Sequence, residues 1–150
     1  MSNEVTFPAK AEIVIIGAGI VGCSIAYHLA SKKIKNVVLV EQDKWPEPGG
    51  STSHASDFIF PIDHSELMAK LSKYGVELYS SLKFNGKPCY EMVGGIEIAR
   101  TEERLRELQR KVASGKSWGI EAELISGTEA QSAFPFLETE LVRGAMWTRT

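Results

Sequence analysis

The chain has 150 residues, 43% hydrophobic and 24% charged, a globular balance with enough apolar side chain for a core. Seventeen Lys and Arg against nineteen Asp and Glu leave a formal charge of −2, which gives no reason to expect nucleic acid or an anionic membrane as partner. The longest apolar run, Ile13 to Ile16, is far too short to span a bilayer.

Residues 1–11 read as a loose leader. Met1 to Lys10 carries Glu4 and lacks the basic start and apolar stretch of an export signal. Glu12 to Ile16 is a β-branched run suited to a strand buried on both faces of a parallel sheet. The glycine segment Gly17 to Gly22 follows. Cys23 to Lys33 then reads as a helix, with Ile25, Ala26 and Leu29 at helical spacing and Lys32 and Lys33 near its C-terminal end. Asn36 breaks the pattern, and Val37 to Val40 is a second buried strand. The unit has the length of about thirty residues that a parallel crossover needs.

Pro46 to Gly50 marks a turn, and Ser51 to Ser53 continues as polar loop. Asp63 and Glu66 stand at capping-box spacing before a helical pattern of Leu67, Leu71, Tyr74, Leu78 and Leu82, which is expected to end near Asn85-Gly86. Cys89 to Ala99 is rich in strand formers, with a turn or bulge at Gly94-Gly95. Thr101 is placed to cap a helix carrying Leu105, Leu108 and Val112, with Glu107 and Lys111 as an i,i+4 pair on its wet side. Ser126 and Glu129 form another capping box, Pro135 closes that short helix, and Val142 to Thr148 reads as a strand. There is no internal repeat.

The expected fold class is α/β: the N-terminal part of a Rossmann-like nucleotide domain over residues 1–85, then the start of an α+β substrate domain over 86–150. One β–α–β unit cannot cover a dinucleotide, because further parallel strands are needed beside the first. The chain therefore reads as the front piece of a longer protein.

Gly17-Ala18-Gly19-Ile20-Val21-Gly22 fits G-x-G-x-x-G. Gly17 allows the turn out of the strand, Gly19 lets the backbone approach a pyrophosphate, and Gly22 lets the helix pack on the strand. The helix N-terminus offers N–H groups and partial positive charge to the phosphates. Glu41 ends the second strand nineteen residues after Gly22. A carboxylate there accepts from both ribose hydroxyls and repels a 2′-phosphate, which disfavours NADP. The fingerprint follows a strand, opens a helix and has its acid at the right distance, so its context conditions hold. It does not choose between NAD and FAD. Gly49-Gly50-Ser51-Thr52-Ser53-His54-Ala55 offers small groups to a second phosphate or a flavin edge, or is a polar surface loop.

With that segment the sequence resembles the glycine/D-amino-acid-oxidase group of flavoproteins. It looks closest to the branch with dimethylglycine oxidase, dimethylglycine dehydrogenase and sarcosine dehydrogenase. The likeness continues through Val93 to Ala99, Thr101 to Leu108 and Trp118 to Glu121. It implies FAD as cofactor and oxidation of an N-methyl or secondary amine to an imine, with hydride passing to the flavin. It also implies a covalent flavin on the histidine of a Ser-Thr-x-His-Ala motif, which here is His54. Branch members carry a glycine two or three residues beyond that histidine, where this chain has Ser56-Asp57-Phe58. Full-length relatives often add a folate-binding domain.

The expected cofactor-binding residues are thus the fingerprint positions Gly17, Gly19, Ile20, Val21 and Gly22, then Glu41 and Gln42, and the segment Gly50, Ser51, Thr52, Ser53 and His54. No residue receives a catalytic role. His28 and His64 read as ordinary helix residues, and the three histidines lack metal-ligand spacing. Tyr74, Tyr79 and Trp118 read as core. Arg100, Arg104, Arg106 and Arg110 read as a solvated face on which one arginine could bind a substrate carboxylate. Cys23 and Cys89 have no metal-like or redox-like spacing and read as reduced thiols of a cytosolic protein. The alternatives are a noncovalent amino-acid oxidase, a cofactor-binding scaffold without turnover and, third, a nicotinamide dehydrogenase.

Overall fold

The computed structural model describes residues 8–44 and 49–149, which form two compact units divided between Phe58 and Ile59. That boundary is one of compactness. The division expected at 85/86, between the FAD-type α/β region and an α+β substrate region, is a separate question.

In the first unit, β1 (Ile13–Ile16) pairs in parallel with β2 (Val37–Val40), Ile13 opposite Val37 and Ile16 opposite Val40. Between them runs α1 (Ile20–Ser31). The helix starts three residues earlier than periodicity suggests, because Ile20, Val21 and Gly22 already belong to its first turn. Its far end closes on Lys33, whose φ is +61°. Lys33 N–H donates to the Ala30 carbonyl and Ile34 N–H to the Leu29 carbonyl, the two bonds of a Schellman motif. Asn36, with φ +55°, turns the chain into β2. Within the described residues Ile15 of β1 is buried, while Val14 and Ile16 are 56% and 87% exposed. Residues 51–54, read as loop, form a 3-10 turn.

In the second unit, α2 (Glu66–Ser81) is capped by position at Ser65 with no side-chain bond. The Asp63–Glu66 capping box is absent; Asp63 accepts instead from the adjacent His64 N–H. The helix also stops earlier than expected. Asn85 and Gly86, with φ of +49° and +78°, are the turn of a hairpin joining β3 (Lys83–Phe84) to β4 (Lys87–Pro88). Two successive positive φ values are what a two-residue hairpin turn needs, and Asn-Gly tolerates them. The buried side of α2 is Ala69 and Val76, whereas Leu67 and Leu71 are 66% and 54% exposed.

β5 (Gly95–Ala99), β6 (Ala122–Ile125) and β7 (Gly144–Thr148) make an antiparallel sheet in the order β5–β7–β6. The last strand enters between the first two, which α3 (Glu102–Ser117) connects as a split β–α–β unit. Leu108 and Val112 of α3 meet Ala99, Ala122 and Met146 of the sheet, with Ile62 closing the core. Thr101 Oγ1 accepts from Arg104 N–H at 3.1 Å, the expected cap. The helix leaves through Gly119, φ +73°, with Ile120 N–H on the Gly115 carbonyl. α4 (Gly127–Ala133) opens with the expected reciprocal box of Ser126 and Glu129.

The pair expected between Glu107 and Lys111 is replaced. Lys111 Nζ reaches Glu97 on β5 at 2.9 and 3.0 Å, and Glu107 pairs with Arg104 at 2.6 Å. Arg104 also bonds Glu97. Sheet and helix thus share a partly buried ion cluster, and Arg104 is a structural side chain.

Candidate functional site

The glycine segment turns where β1 ends. Gly17 has φ +95°, a conformation that L side chains rarely adopt, and its N–H donates to the Val40 carbonyl at 2.8 Å. A Cβ on Gly22 would stand 1.9 Å from the Gly17 carbonyl oxygen, so only glycine lets α1 lie this close to the turn. α1 has no side-chain cap from Gly19 and no acidic residue in its first turn.

The parallel register sets Glu41 directly beyond the strand pair, level with this turn. Its Oε2 accepts from Ala18 N–H at 2.6 Å; its Oε1 accepts from Gln42 N–H at 2.9 Å and Asp43 N–H at 3.1 Å. These bonds, that of Ala18 first, hold the carboxyl below the usual glutamate range and outweigh the opposing effect of desolvation. A carboxylate has about four lone-pair sites. Three backbone donors leave room for one further donor, such as a hydroxyl.

Gly17, Gly19, Glu41, Gln42, Gly50, Ser51 and Thr52 line one cleft of about 550 Å³. Seven of the twelve expected residues therefore converge on it. Ile20, Val21 and Gly22 stand behind it in the first turn of α1, and Ser53 and His54 lie further along the 3-10 turn. Ile16, Val40 and Asp43 also line the cleft and were not anticipated. Asp43 accepts from Gly49 N–H at 3.0 Å. Its position two residues after Glu41 was the one available signal.

His54 is exposed, with Nδ1 3.1 Å from the Gly50 carbonyl oxygen and 3.1 Å from Ser53 Oγ. Ser53 Oγ itself donates to the same carbonyl at 2.8 Å. A carbonyl only accepts, so in the neutral ring the contact with Gly50 is a bond from Nδ1–H, and Nε2 is then the lone-pair nitrogen. Asp57, three residues on, has φ +56°. Asp57, within the two-or-three-residue window where the resemblance implies a glycine, thus keeps a left-handed backbone.

The other singled-out residues lie elsewhere. His28 Nδ1 is 2.6 Å from the Ser24 carbonyl oxygen within α1, and Cys23 Sγ donates to the Ala18 carbonyl at 3.2 Å. His64 is exposed, 3.9 Å from Glu107. Trp118 packs against the core of the second unit, as expected, whereas Tyr74 is exposed on α2. That unit carries a shallower groove of about 410 Å³ with Lys116, Glu121, Glu123 and Arg149 on its walls. Among the described residues no group of His, Cys, Asp and Glu could hold a metal ion, and no helix is long and apolar enough to cross a membrane.

Comparison with known proteins gives a consistent picture. The family described as FAD dependent oxidoreductase matches residues 12–150. The mitochondrial pyruvate dehydrogenase phosphatase regulatory subunit of Mus musculus is 32% identical over 148 residues, 97% of this chain and 17% of that protein. Mitochondrial sarcosine dehydrogenase of Mus musculus is 27% identical over 143 residues, 93% of this chain and 15% of that protein. The chain thus spans about one sixth of the length of these curated relatives. Among solved structures, L-proline dehydrogenase from P. horikoshii superposes with a TM-score of 0.83 at 27% identity, over 96% of this chain and 38% of that one.

Proposed function

The chain belongs to the family of FAD-dependent oxidoreductases, and from that premise we propose that residues 17–54 hold the FAD of an enzyme oxidising an N-methyl or secondary amine of the dimethylglycine or sarcosine type. The observation that carries this is the convergence of Gly17 and Gly19, Glu41 and Gln42, and Gly50, Ser51 and Thr52 on one cleft.

The residues fit the group. The Gly17–Gly22 turn and the start of α1, whose N-cap Gly19 carries no side chain, suit a pyrophosphate, which needs close backbone approach and positive dipole. Glu41 keeps an acceptor site for a ribose hydroxyl and, held ionised, repels a 2′-phosphate. Ser51 and Thr52 supply hydroxyls to the same cleft. His54, with Nε2 as its nucleophilic nitrogen, is the residue to carry a covalent flavin. The chemistry that bound FAD supplies is two-electron oxidation of the amine carbon–nitrogen bond to an imine. The chain's own part is to bind, orient and retain it.

The test is acid precipitation of the full-length protein with visible spectra of pellet and supernatant, beside turnover of N-methylglycines. Yellow colour in the pellet that moves to the supernatant in His54→Ala is the expected result. Colour in the supernatant of the wild type would remove the covalent bond and retain the flavoenzyme. Soluble, folded protein without flavin in either fraction would refute the proposal.

A second reading, a flavin-fold protein that regulates without turnover, is favoured by the 32% identity to a regulatory subunit. Stoichiometric FAD with no reduction by any N-methyl amine would support it.

A further inference from the structure

Ile20 N–H, the first amide of α1, is not met by its neighbours. The N-cap position is Gly19, which has no side chain, and the first turn has no acidic residue. The amide donates instead to Thr52 Oγ1 at 2.9 Å, from 32 residues away in the chain. A Cβ on Gly19 would stand 3.0 Å from that oxygen, tighter than ordinary contact. The second glycine of the fingerprint therefore admits the threonine as well as any ligand. Thr52 also belongs to a turn that is bonded within itself: Ser53 N–H and Ser53 Oγ both donate to the Gly50 carbonyl, and Ala55 N–H donates to the Thr52 carbonyl. Such a turn moves as a piece, and Thr52 fastens it to α1.

We propose that Thr52 is a positioning residue: its hydroxyl oxygen caps α1 from a distance and thereby sets where the Ser51–His54 turn, with His54 at its end, stands against the first glycine loop. The proposal rests on reading the cleft as the FAD site. Because Oγ1 accepts from the amide, the hydroxyl proton remains free to donate into the cleft that Thr52 lines. Serine preserves both functions. Valine, of nearly the same shape, removes both.

The experiment compares wild type, Thr52→Val and Thr52→Ser in the full-length protein. It reads hydrogen–deuterium exchange of the peptide containing Ile20 in flavin-free protein, the FAD dissociation constant, and the fraction of flavin retained in an acid pellet. Thr52→Val is expected to speed exchange at Ile20 and to weaken FAD by about tenfold, the scale of losing one cap. It is also expected to lower the covalent fraction, and Thr52→Ser restores all three. If Thr52→Val does not fold, Thr52→Ala removes the hydroxyl without adding a methyl and is read the same way. Unchanged exchange at Ile20 overturns the cap. Faster exchange with unchanged FAD affinity and covalent fraction overturns the positioning role. A wild type that binds no FAD at all refutes the cofactor reading itself, and the exchange data then still decide whether the cap exists.

Discussion

Glu41 shows how a single side chain can hold a turn in place and still face a cleft. Three backbone amides grip its carboxylate and lower its affinity for a proton. A group whose folded value is depressed contributes stability that is complete above its unfolded value, about 4.3, and lost as pH falls through the lower folded value. The melting temperature of the wild type is thus expected to decline on acidification below about pH 4.3, with Glu41→Gln removing part of that slope. Parallel wild-type and variant curves down to the lower folded value would refute the assignment. The same residue explains why the glycine loop keeps its shape: the Ala18 bond ties the turn to the end of β2. Asp57 makes the opposite point, keeping a backbone conformation natural to glycine with a side chain that tolerates it.

At the scale of elements, two helices end in the same way with different residues. α1 and α3 both close with the paired bonds of a Schellman motif, but the left-handed position is Lys33 in the first and Gly119 in the second. A side chain with a Cβ in that conformation costs about 1–2 kcal/mol. Lys33→Gly is expected to stabilise the first unit by up to about 1 kcal/mol, after the greater entropy of unfolded glycine is subtracted. Denaturant midpoints of the two proteins check this, and a destabilised Lys33→Gly would mean that the lysine makes compensating interactions. α2 shows how an apolar stripe misleads. Leu67, Leu71 and Tyr74 have the spacing of a buried face, yet Ala69 and Val76 are the buried positions.

For the whole molecule, the second unit owns the well-formed core. Leu108 is fully buried among Ile62, Ala99, Val112, Ala122 and Met146. Leu108→Ala is expected to cost about 2–5 kcal/mol, the range for deleting a buried leucine side chain. Loss of a cooperative unfolding transition at a denaturant concentration that leaves the wild type folded would show it. A cost under about 1 kcal/mol would mean that the split β–α–β packing is not what holds the unit. The first unit presents a different surface. β1 keeps Val14 and Ile16 exposed, because the described residues supply one parallel neighbour, β2, and one covering helix, α1.

What the sequence by itself determined is local. The glycine turn, the acid nineteen residues on, the Thr101 cap and the Ser126–Glu129 box all bind groups within a few residues or one crossover of each other. Their spacing therefore carries their geometry, and it was enough to indicate most of the cleft. Only the tertiary structure decided the rest. Lys111 turns from Glu107 on its own helix, which Arg104 holds, to Glu97 on a strand, where it meets both carboxylate oxygens. β7 enters between β5 and β6 although it comes last in the chain. Thr52 caps a helix that starts 32 residues before it. Each choice pits a near neighbour against a distant one, and spacing along a chain carries no information about which distant group folding will bring within 3 Å.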